Sequence, residues 1–350
     1  MTDRRPSRRV KVGGAAIGGG APISVQTMLN CSPDDTEANV AAAKEAYTAG
    51  CDILRIAVPK IEHAKLIPAI KNECPVALVA DIHFDYRIAL ECVSAGVDKV
   101  RINPGNIGDD SNVKAVAEAC AAKNIPIRIG VNAGSLEKSI LAAHGGITAQ
   151  ALVDSAMFHV GLLEKFDFQD IVISLKASDT PLTVEAYELC ARQCDYPLHL
   201  GVTEAGTLQS GLIKSSAAMG HLLMRGIGDT LRFSLTDKPV REVEAGISLL
   251  KSLGMRKGGP TLKSCPTCGR CNINLIGLAA EVERRLAGCK KDITVAAMGC
   301  VVNGPGEAGD ADLGFFGGNG CGVIMKNGEK LRTVPEEHIV DELMLEIERF

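Results

Sequence analysis

The pattern of apolar and polar positions divides most of the chain into short apolar runs separated by longer segments with helical periodicity. Runs of this length are typical of buried strands, whereas apolar residues spaced three or four positions apart indicate amphipathic helices. The pattern therefore predicts eight strands, at Ile23–Met28, Ile53–Val58, Val76–Ala80, Lys99–Asn103, Ile127–Val131, Ile171–Leu175, Leu198–Val202 and Leu231–Leu235.

Helical segments lie between these strands, and several begin with a capping signal such as Thr148 or Asp179-Thr180-Pro181. Alternating strands and helices favour a parallel sheet. Repeated units over about 230 residues match a closed (β/α)8 TIM-type barrel, and an open doubly wound sheet is the alternative. The predicted helices include Asp35–Ala49, Ile61–Glu73, Asp109–Lys123, Thr148–Lys165 and Pro181–Cys190.

The periodicity changes between Lys251 and Lys263, where Gly258-Gly259-Pro260 interrupts the apolar pattern. A domain boundary is expected at such a composition shift. We predict a substrate-binding barrel over residues 1–255 and a smaller α/β domain over 256–350. The smaller domain is expected to contain a helix at Ile273–Leu286, strands at Ile293–Met298, Gly314–Phe316 and Gly322–Met325, and a terminal helix at Glu336–Phe350.

Composition narrows the class of protein. Aromatic residues are 3% of the chain, so the core must consist mainly of Ala, Val, Ile and Leu, and a net charge of −4 gives no reason to expect nucleic acid or a membrane as partner. The 13 scattered cysteines, without a secretory segment, predict reduced thiols in the cytoplasm with a few metal ligands. The arginines of the first nine residues precede no apolar run and suggest a frayed basic tail.

Cations occur at the ends of five predicted barrel strands. A charge inside a buried strand is costly unless it faces a ligand, and the carboxyl ends of barrel strands form the active face. Arginine offers bidentate donors that match phosphate oxygens, so we expect a small substrate with two phosphoryl groups. Salt bridges across the barrel are the alternative explanation. The five cations are Arg55, Arg101, Arg128, Lys176 and Arg232.

Other polar residues follow the same strand ends. Asp81 and Glu204 are candidates for acid–base or orienting roles, with charge balance as the alternative. His83 either orients the substrate or caps the next helix. The remaining polar candidates for substrate binding are Asn103, Asn132 and Ser234.

A cysteine motif follows the predicted boundary. Cys265, Cys268 and Cys271 have the spacing C-x₂-C-x₂-C, and Cys300 follows in a second glycine-rich loop that also contains Glu307. Thiolates on such loops suit an iron–sulfur cluster or zinc, and the absence of a second paired motif favours a cluster. Glu307 offers a weaker oxygen ligand. Spacing alone leaves open whether Cys271 or Cys300 supplies the third thiolate.

Taken together, these motifs resemble the family of 4-hydroxy-3-methylbut-2-en-1-yl diphosphate synthases of the methylerythritol phosphate pathway. The resemblance covers nearly the whole chain and matches the shorter, bacterial form. The matching segments are Ala21–Gln26, Asp81–Phe84, Arg101–Asn106, Leu200–Gly206, Cys265–Arg270 and Val302–Glu307.

The resemblance implies a [4Fe–4S] cluster held by Cys265, Cys268, Cys300 and Glu307, with Cys271 as a non-ligand. It implies that 2-C-methyl-D-erythritol 2,4-cyclodiphosphate is opened reductively, with two electrons supplied by flavodoxin or ferredoxin. It also implies a homodimer in which the cluster domain of one subunit closes over the barrel of the other. Two alternatives are an iron–sulfur sensor or electron carrier, and a zinc-containing barrel hydrolase that acts on a phosphorylated substrate.

Overall fold

The computed structural model describes residues 3–103 and 106–350, so Pro104 and Gly105 of the predicted Arg101–Asn106 motif lie outside the described residues. The chain forms two compact units, residues 1–256 and 257–350. In the described part of both units, no helix has the length and apolar character needed to cross a bilayer.

The first unit is a barrel that begins with an antiparallel hairpin of β1 (Val10–Val12) and β2 (Ala15–Ile17). Eight parallel strands follow in the order β8-β7-β6-β5-β4-β3-β10-β9, and a bridge between Ile173 and Leu198 closes the ring. This confirms the predicted barrel and excludes the open sheet. The strands are β3 (Ser24–Met28), β4 (Ile53–Ala57), β5 (Ala77–Asp81), β6 (Lys99–Ile102), β7 (Ile127–Asn132), β8 (Ile171–Lys176), β9 (His199–Leu200) and β10 (Thr230–Leu231).

The predicted strand Leu231–Leu235 is too long at its carboxyl end. The backbone N–H of Leu235 donates to a carboxylate oxygen of Glu242 at 3.1 Å, so the chain leaves the sheet soon after Leu231. A side-chain acceptor outside the strand pattern cannot be anticipated from apolar periodicity.

Helices pack around the ring and bury the outward-facing side chains of the strands. The capping predictions at Thr148 and Asp179 are confirmed, because these side chains accept from the backbone N–H groups of Ala151 and Leu182. The helices are α1 (Thr36–Thr48), α2 (Leu66–Glu73), α3 (Tyr86–Ser94), α4 (Asp110–Ala122), α5 (Lys138–His144), α6 (Ala149–Glu164), α7 (Thr180–Gln193), α8 (Leu208–Met224) and α9 (Pro239–Ser252).

The amino-terminal end of the barrel is closed by apolar side chains of the hairpin. Val10, Val12 and Ile17 form one buried cluster with Ile53 and Val79 from the strands and with neighbouring apolar side chains. A water-excluding plug at this end leaves the opposite, carboxyl end as the open face of the barrel.

The expectation of a frayed basic tail is wrong for the described residues of this segment. Arg4 pairs with Asp229 at 3.1 Å, and Arg8 donates to Asp195 at 2.7 Å. These carboxylates lie far away in sequence, so a local reading of the amino terminus could not identify them.

The second unit contains a five-stranded sheet in the order β11-β12-β13-β14-β15. Thr261–Ser264 forms its edge strand and α9 continues to Ser252, so the segment Lys251–Lys263, in which the apolar periodicity changes, is part of regular elements at both ends. The elements are β11 (Thr261–Ser264), α10 (Leu275–Leu286), β12 (Thr294–Met298), α11 (Gly304–Gly309), β13 (Leu313–Gly317), β14 (Cys321–Lys326), β15 (Glu329–Pro335) and α12 (Ile339–Arg349).

Candidate functional site

Strand alternation explains why the cations point into the barrel. In β6, Val100 and Ile102 lie in the helix-facing core, so Lys99 and Arg101 occupy the opposite, inward face. In β7 the same alternation directs Ile127 and Ile129 outward and Arg128 inward.

Asp81 connects two of the predicted cations. Its carboxylate accepts from Arg55 Nη2 at 2.6 Å and from Arg101 Nη1 at 3.2 Å, and His83 Nε2 lies 3.4 Å from the same group. Asp81 is buried, whereas the His83 side chain is half exposed. The carboxylate therefore fixes two guanidinium groups side by side at the end of the strands.

Electrostatics keep this group charged. Burial acts to raise the pKa of Asp81, but the charges of Arg55 and Arg101 outweigh it and hold that pKa below the usual range. Burial lowers the pKa of Arg55 to about 10, which leaves it protonated at neutral pH. Asp81 is thus an ionised acceptor near pH 7 rather than a proton donor.

Gly130 provides the space that Arg101 needs. A Cβ atom at this position would lie 2.4 Å from Arg101 Nε, and Arg101 Nη2 donates to the Gly130 carbonyl at 3.0 Å. Any side chain at this position would displace the guanidinium from its present place.

Arg232 is also paired. It forms two hydrogen bonds of 2.9 Å to the carboxylate of Glu242, which further accepts from the hydroxyl of Thr27 at 2.7 Å. Glu242 lies on α9, is buried, and was not recognised from the sequence because its helix shows an ordinary amphipathic pattern. The salt-bridge alternative therefore applies to three of the five cations, Arg55, Arg101 and Arg232.

Arg128 and Lys176 differ from these three. Arg128 makes one long hydrogen bond, 3.4 Å to the Ser174 hydroxyl, and Lys176 makes no hydrogen bond or ion pair within the described residues. Burial lowers the pKa of both groups, and neighbouring cations add to the effect. Both are thus buried cations without an acidic partner in the described chain, as expected where an anionic ligand supplies the charge.

The other predicted residues lie around the same strand ends. Asn103 is buried, and Asn132 pairs with Lys176 in the register of β7 and β8. Glu204 is exposed and has a left-handed backbone with φ of 51°, which is uncommon for a residue other than glycine. The side chains of Asn132, Ser234 and Glu204 make no hydrogen bond to the described residues.

The second unit contains a cavity of about 150 Å³ between its two cysteine loops. Its lining includes Cys265, Cys268, Cys300 and Glu307, and also Arg270. One water needs roughly 15 Å³ by the same kind of measure, so the space suits a group of several atoms. The structure therefore brings together the ligand set that the resemblance implies.

The donors around this cavity suit thiolates. The backbone N–H of Gly299 donates to Cys265 Sγ at 3.3 Å, and the backbone N–H groups of Asn303 and Val302 lower the pKa of Cys300. Sulfur ligands of clusters commonly accept such hydrogen bonds.

Cys271 has different surroundings. Its thiol donates to the carbonyl oxygen of Ile273 at 3.3 Å. A Cβ atom added at Gly299 would lie only 2.6 Å from Cys271 Sγ. It packs against the apolar core of this unit and does not line the cavity. These contacts favour Cys300 over Cys271 as the third thiolate.

Among residues 3–103 and 106–350, no three His, Cys, Asp or Glu side chains are close enough to hold a single metal ion. Cys265, Cys268, Cys300 and Glu307 lie around the cavity described above.

Both units match known domains. The GcpE TIM-barrel domain matches residues 7–247, and the GcpE protein C-terminal domain matches residues 261–349.

Curated relatives extend the match to nearly the full length. The protein of Caldanaerobacter subterraneus subsp. tengcongensis is 55% identical over 346 residues, which cover 99% of this chain and 98% of the relative. That of Geobacter sulfurreducens is 53% identical over 343 residues, covering 98% and 97%. Both are named 4-hydroxy-3-methylbut-2-en-1-yl diphosphate synthase (flavodoxin).

Solved structures show the likeness of the barrel fold alone. The dihydropteroate synthase of Coxiella burnetii has a TM-score of 0.51 at 16% identity and covers 71% of this chain and 98% of its own. A truncated 3-deoxy-D-arabino-heptulosonate 7-phosphate synthase of Thermotoga maritima has a TM-score of 0.51 at 13% identity, with coverages of 71% and 94%. The two domain matches and the full-length relatives together show that the chain belongs to the GcpE family.

Proposed function

We propose that this protein is a 4-hydroxy-3-methylbut-2-en-1-yl diphosphate synthase that reduces 2-C-methyl-D-erythritol 2,4-cyclodiphosphate. Identity of 55% across 99% of the chain to a relative of that name supports the reaction. The cavity that gathers three cysteines and a glutamate supports the redox assignment most directly. The names of the relatives give no support to a sensor, an electron carrier or a zinc hydrolase.

The reaction consumes two electrons and a proton. The bond between the tertiary carbon and its phosphate oxygen breaks, the neighbouring hydroxyl leaves as water, and a carbon–carbon double bond forms. The diphosphate stays attached at the other end of the product. The protein must therefore hold a dianionic ring, stabilise the phosphate oxygen that is released, and guide a proton to the departing hydroxyl.

The barrel residues fit the first two tasks. Arg128 and Lys176 have no acidic partner in the described chain and are proposed to bind phosphoryl oxygens directly. Arg55 and Arg101, held by Asp81, are oriented so that their remaining N–H groups meet the substrate. His83, Asn103, Asn132, Arg232 and Ser234 are proposed to complete the substrate site.

Cys265, Cys268, Cys300 and Glu307 are proposed to hold a [4Fe–4S] cluster. When bound, the cluster would supply single electrons and a Lewis-acidic iron for the substrate oxygen. Glu307 is exposed in its glycine-rich segment and would be a weaker ligand than a thiolate. The backbone N–H groups near Cys265 and Cys300 stabilise the thiolate charge.

Glu204 is proposed to guide the proton. It follows a barrel strand, its carboxylate is exposed, and its strained backbone is a feature that recurs at functional sites. Asp81 is proposed to act by orienting its two arginines, since both carboxylate oxygens are already engaged.

The test for Glu204 is Glu204→Gln, assayed with reduced flavodoxin under anaerobic conditions. We expect turnover to fall about 100-fold or more while the cluster spectrum stays unchanged. Glu244→Gln, on the exposed surface of α9, is the matched control. Near-normal turnover of Glu204→Gln would remove this residue from the chemistry.

Flavodoxin is proposed as the electron donor, because the relatives carry it in their names, and ferredoxin is the second candidate. We also propose a cytoplasmic homodimer. Light scattering of the anaerobic protein tests the oligomeric state, and a monomer at working concentrations would contradict it.

A further inference from the structure

Arg128 belongs to a buried polar group inside the barrel that also contains Lys99 and His199, which were not among the cations predicted from the sequence. Lys99 Nζ, Nε and Nη2 of Arg128, and both ring nitrogens of His199 are buried and have no hydrogen-bond partner among residues 3–103 and 106–350. The three residues are 0%, 1% and 0% exposed. Buried polar groups in native proteins nearly always have a hydrogen-bond partner. Several such atoms without a partner in one place therefore require an explanation.

The strand register brings Lys99 and Arg128 together inside the ring, and His199 is close enough for both charges to act on it. Lys99 precedes Arg101 by two positions on β6 and shares its inward face, and Arg128 pairs with Arg101 on the neighbouring strand. Lys99 itself pairs with Val79, a member of the apolar plug. Lys99 therefore lies between the plug and the cations at the carboxyl ends of the strands.

In the part of the chain that the structure describes, no carboxylate forms an ion pair with Lys99, Arg128 or His199. The charges that act on Lys99 come from Arg128 and Arg55, and those that act on His199 come from Arg128, Lys176, Lys99 and Arg55. Asp81 acts on Arg128, but its two oxygens already accept from Arg55 and Arg101. A charged amine in such a place is strongly unfavourable unless an anion or water accompanies it.

We propose that Lys99, together with Arg128 and His199, forms the floor of the phosphoryl-binding site, and that Lys99 gains a proton when the anion binds. This inference rests on the proposed function, because it assigns a further substrate-binding cation to the same barrel. The ligand class is a phosphorylated or diphosphorylated small molecule. The apolar plug lies on one side of Lys99 and the cations at the carboxyl ends of the strands lie on the other. Neither can balance its charge, so we infer that a bound anion does.

The electrostatics agree with uptake of a proton. Burial first, and then Arg128 and Arg55, hold the pKa of Lys99 well below its usual range, which favours the neutral amine before an anion binds. Among the described residues, the other titratable groups that act on this layer include His199 on β9, Lys176 on β8, Asp81 on β5 and Tyr187 on α7. A bound dianion raises the pKa of the cationic groups among them. Comparison with Lys99→Met therefore gives the part of the proton uptake that is due to Lys99.

The experiment compares wild type with Lys99→Met, which keeps the length of the side chain and removes the amine. Titration calorimetry with the cyclodiphosphate, in two buffers of different ionisation enthalpy, gives affinity and proton uptake together. We expect at least tenfold weaker binding and reduced proton uptake in Lys99→Met, with an unchanged visible spectrum. The melting temperature of Lys99→Met should be equal to that of the wild type or higher. If the lysine had a purely structural role, its replacement would lower the melting temperature. Lys114→Met, on the surface of α4, is the control.

Unchanged affinity and proton uptake in Lys99→Met would overturn the proposal. If that variant does not fold, His199→Gln and the wild-type proton uptake carry the test, and absence of uptake by the wild type would overturn it. Inorganic pyrophosphate is a second probe that does not depend on the reaction. The wild type could bind pyrophosphate more tightly than Lys99→Met does and yet fail to bind the cyclodiphosphate. That result would contradict the proposed function but support the assignment of Lys99 to the phosphoryl-binding site.

Discussion

Replacing Asp81 by asparagine should destabilise the barrel strongly. The carboxylate is 1% exposed and accepts from Arg55 at 2.6 Å and from Arg101 at 3.2 Å. Asp81→Asn keeps the shape of the side chain but leaves two buried guanidinium groups without a counter-charge. Removing one partner of a buried ion pair typically costs about 3–5 kcal/mol, and we expect a loss in that range.

Tyrosine fluorescence during urea unfolding is the assay. The chain has 4 tyrosines and no tryptophan. All of the tyrosines lie in the barrel unit, so the signal reports that unit alone, which matters because a chain with two units need not unfold in one step. Asp85→Asn is the control, since Asp85 is a more exposed partner of Arg87 and asparagine also caps helices well.

The pH dependence gives an independent check. The pKa of Asp81 is lowered in the folded protein, so its contribution to the free energy of unfolding is present above the unfolded value of about 4. That contribution is lost as the pH falls from there through the folded pKa. The difference between wild type and Asp81→Asn should therefore narrow below about pH 4. A loss under about 1 kcal/mol, equal to that of Asp85→Asn, would refute the reasoning.

Three further predictions follow from particular contacts. Gly130→Ala should push the guanidinium of Arg101 off the Gly130 carbonyl, and substrate affinity measured by calorimetry should fall more than stability does. Glu242→Gln should weaken both substrate binding and resistance to urea, because Arg232 would lose its charged bidentate partner. The hydrogen bond between the Cys190 and Cys194 thiols, whose Sγ atoms are 3.8 Å apart, lowers the pKa of Cys194 to about 7. Alkylation of Cys194, followed by mass spectrometry, should accelerate through that pH, and Cys190→Ser should move the transition upward.

Local pattern was sufficient to predict the barrel. Inward and outward residues alternate strictly on β6 and β7, and the caps at Thr148 and Asp179 follow from the side chains present. The hairpin plug and the strand at Thr261–Ser264 were missed, because short strands with few apolar residues give little periodic signal.

Site residues could be predicted from the sequence where they lie at the ends of barrel strands, because those ends form the open face of the barrel. Arg55, Asp81 and Arg101 follow from position and do form one network. The pairing of Arg232 with Glu242 depends on packing between a helix and a strand and leaves no trace in local sequence. Lys99 did leave a trace, since it shares the inward face of β6 with Arg101, two residues away, and the same alternation argument identifies it.

The choice between Cys271 and Cys300 shows what tertiary structure adds. Spacing groups Cys271 with Cys265 and Cys268. The folded chain instead places Cys300 on the cavity and directs the thiol of Cys271 to the carbonyl of Ile273.

The central claim is that Cys265, Cys268, Cys300 and Glu307 hold an iron–sulfur cluster. The most direct test is the visible spectrum, with iron, sulfide and zinc content, of wild type, Cys300→Ser and Cys271→Ser purified without oxygen. Wild type and Cys271→Ser should be brown with about four irons and four sulfides per chain, and Cys300→Ser should lose most of both. A colourless wild type with one zinc, or a cluster lost from Cys271→Ser but kept by Cys300→Ser, would contradict the account.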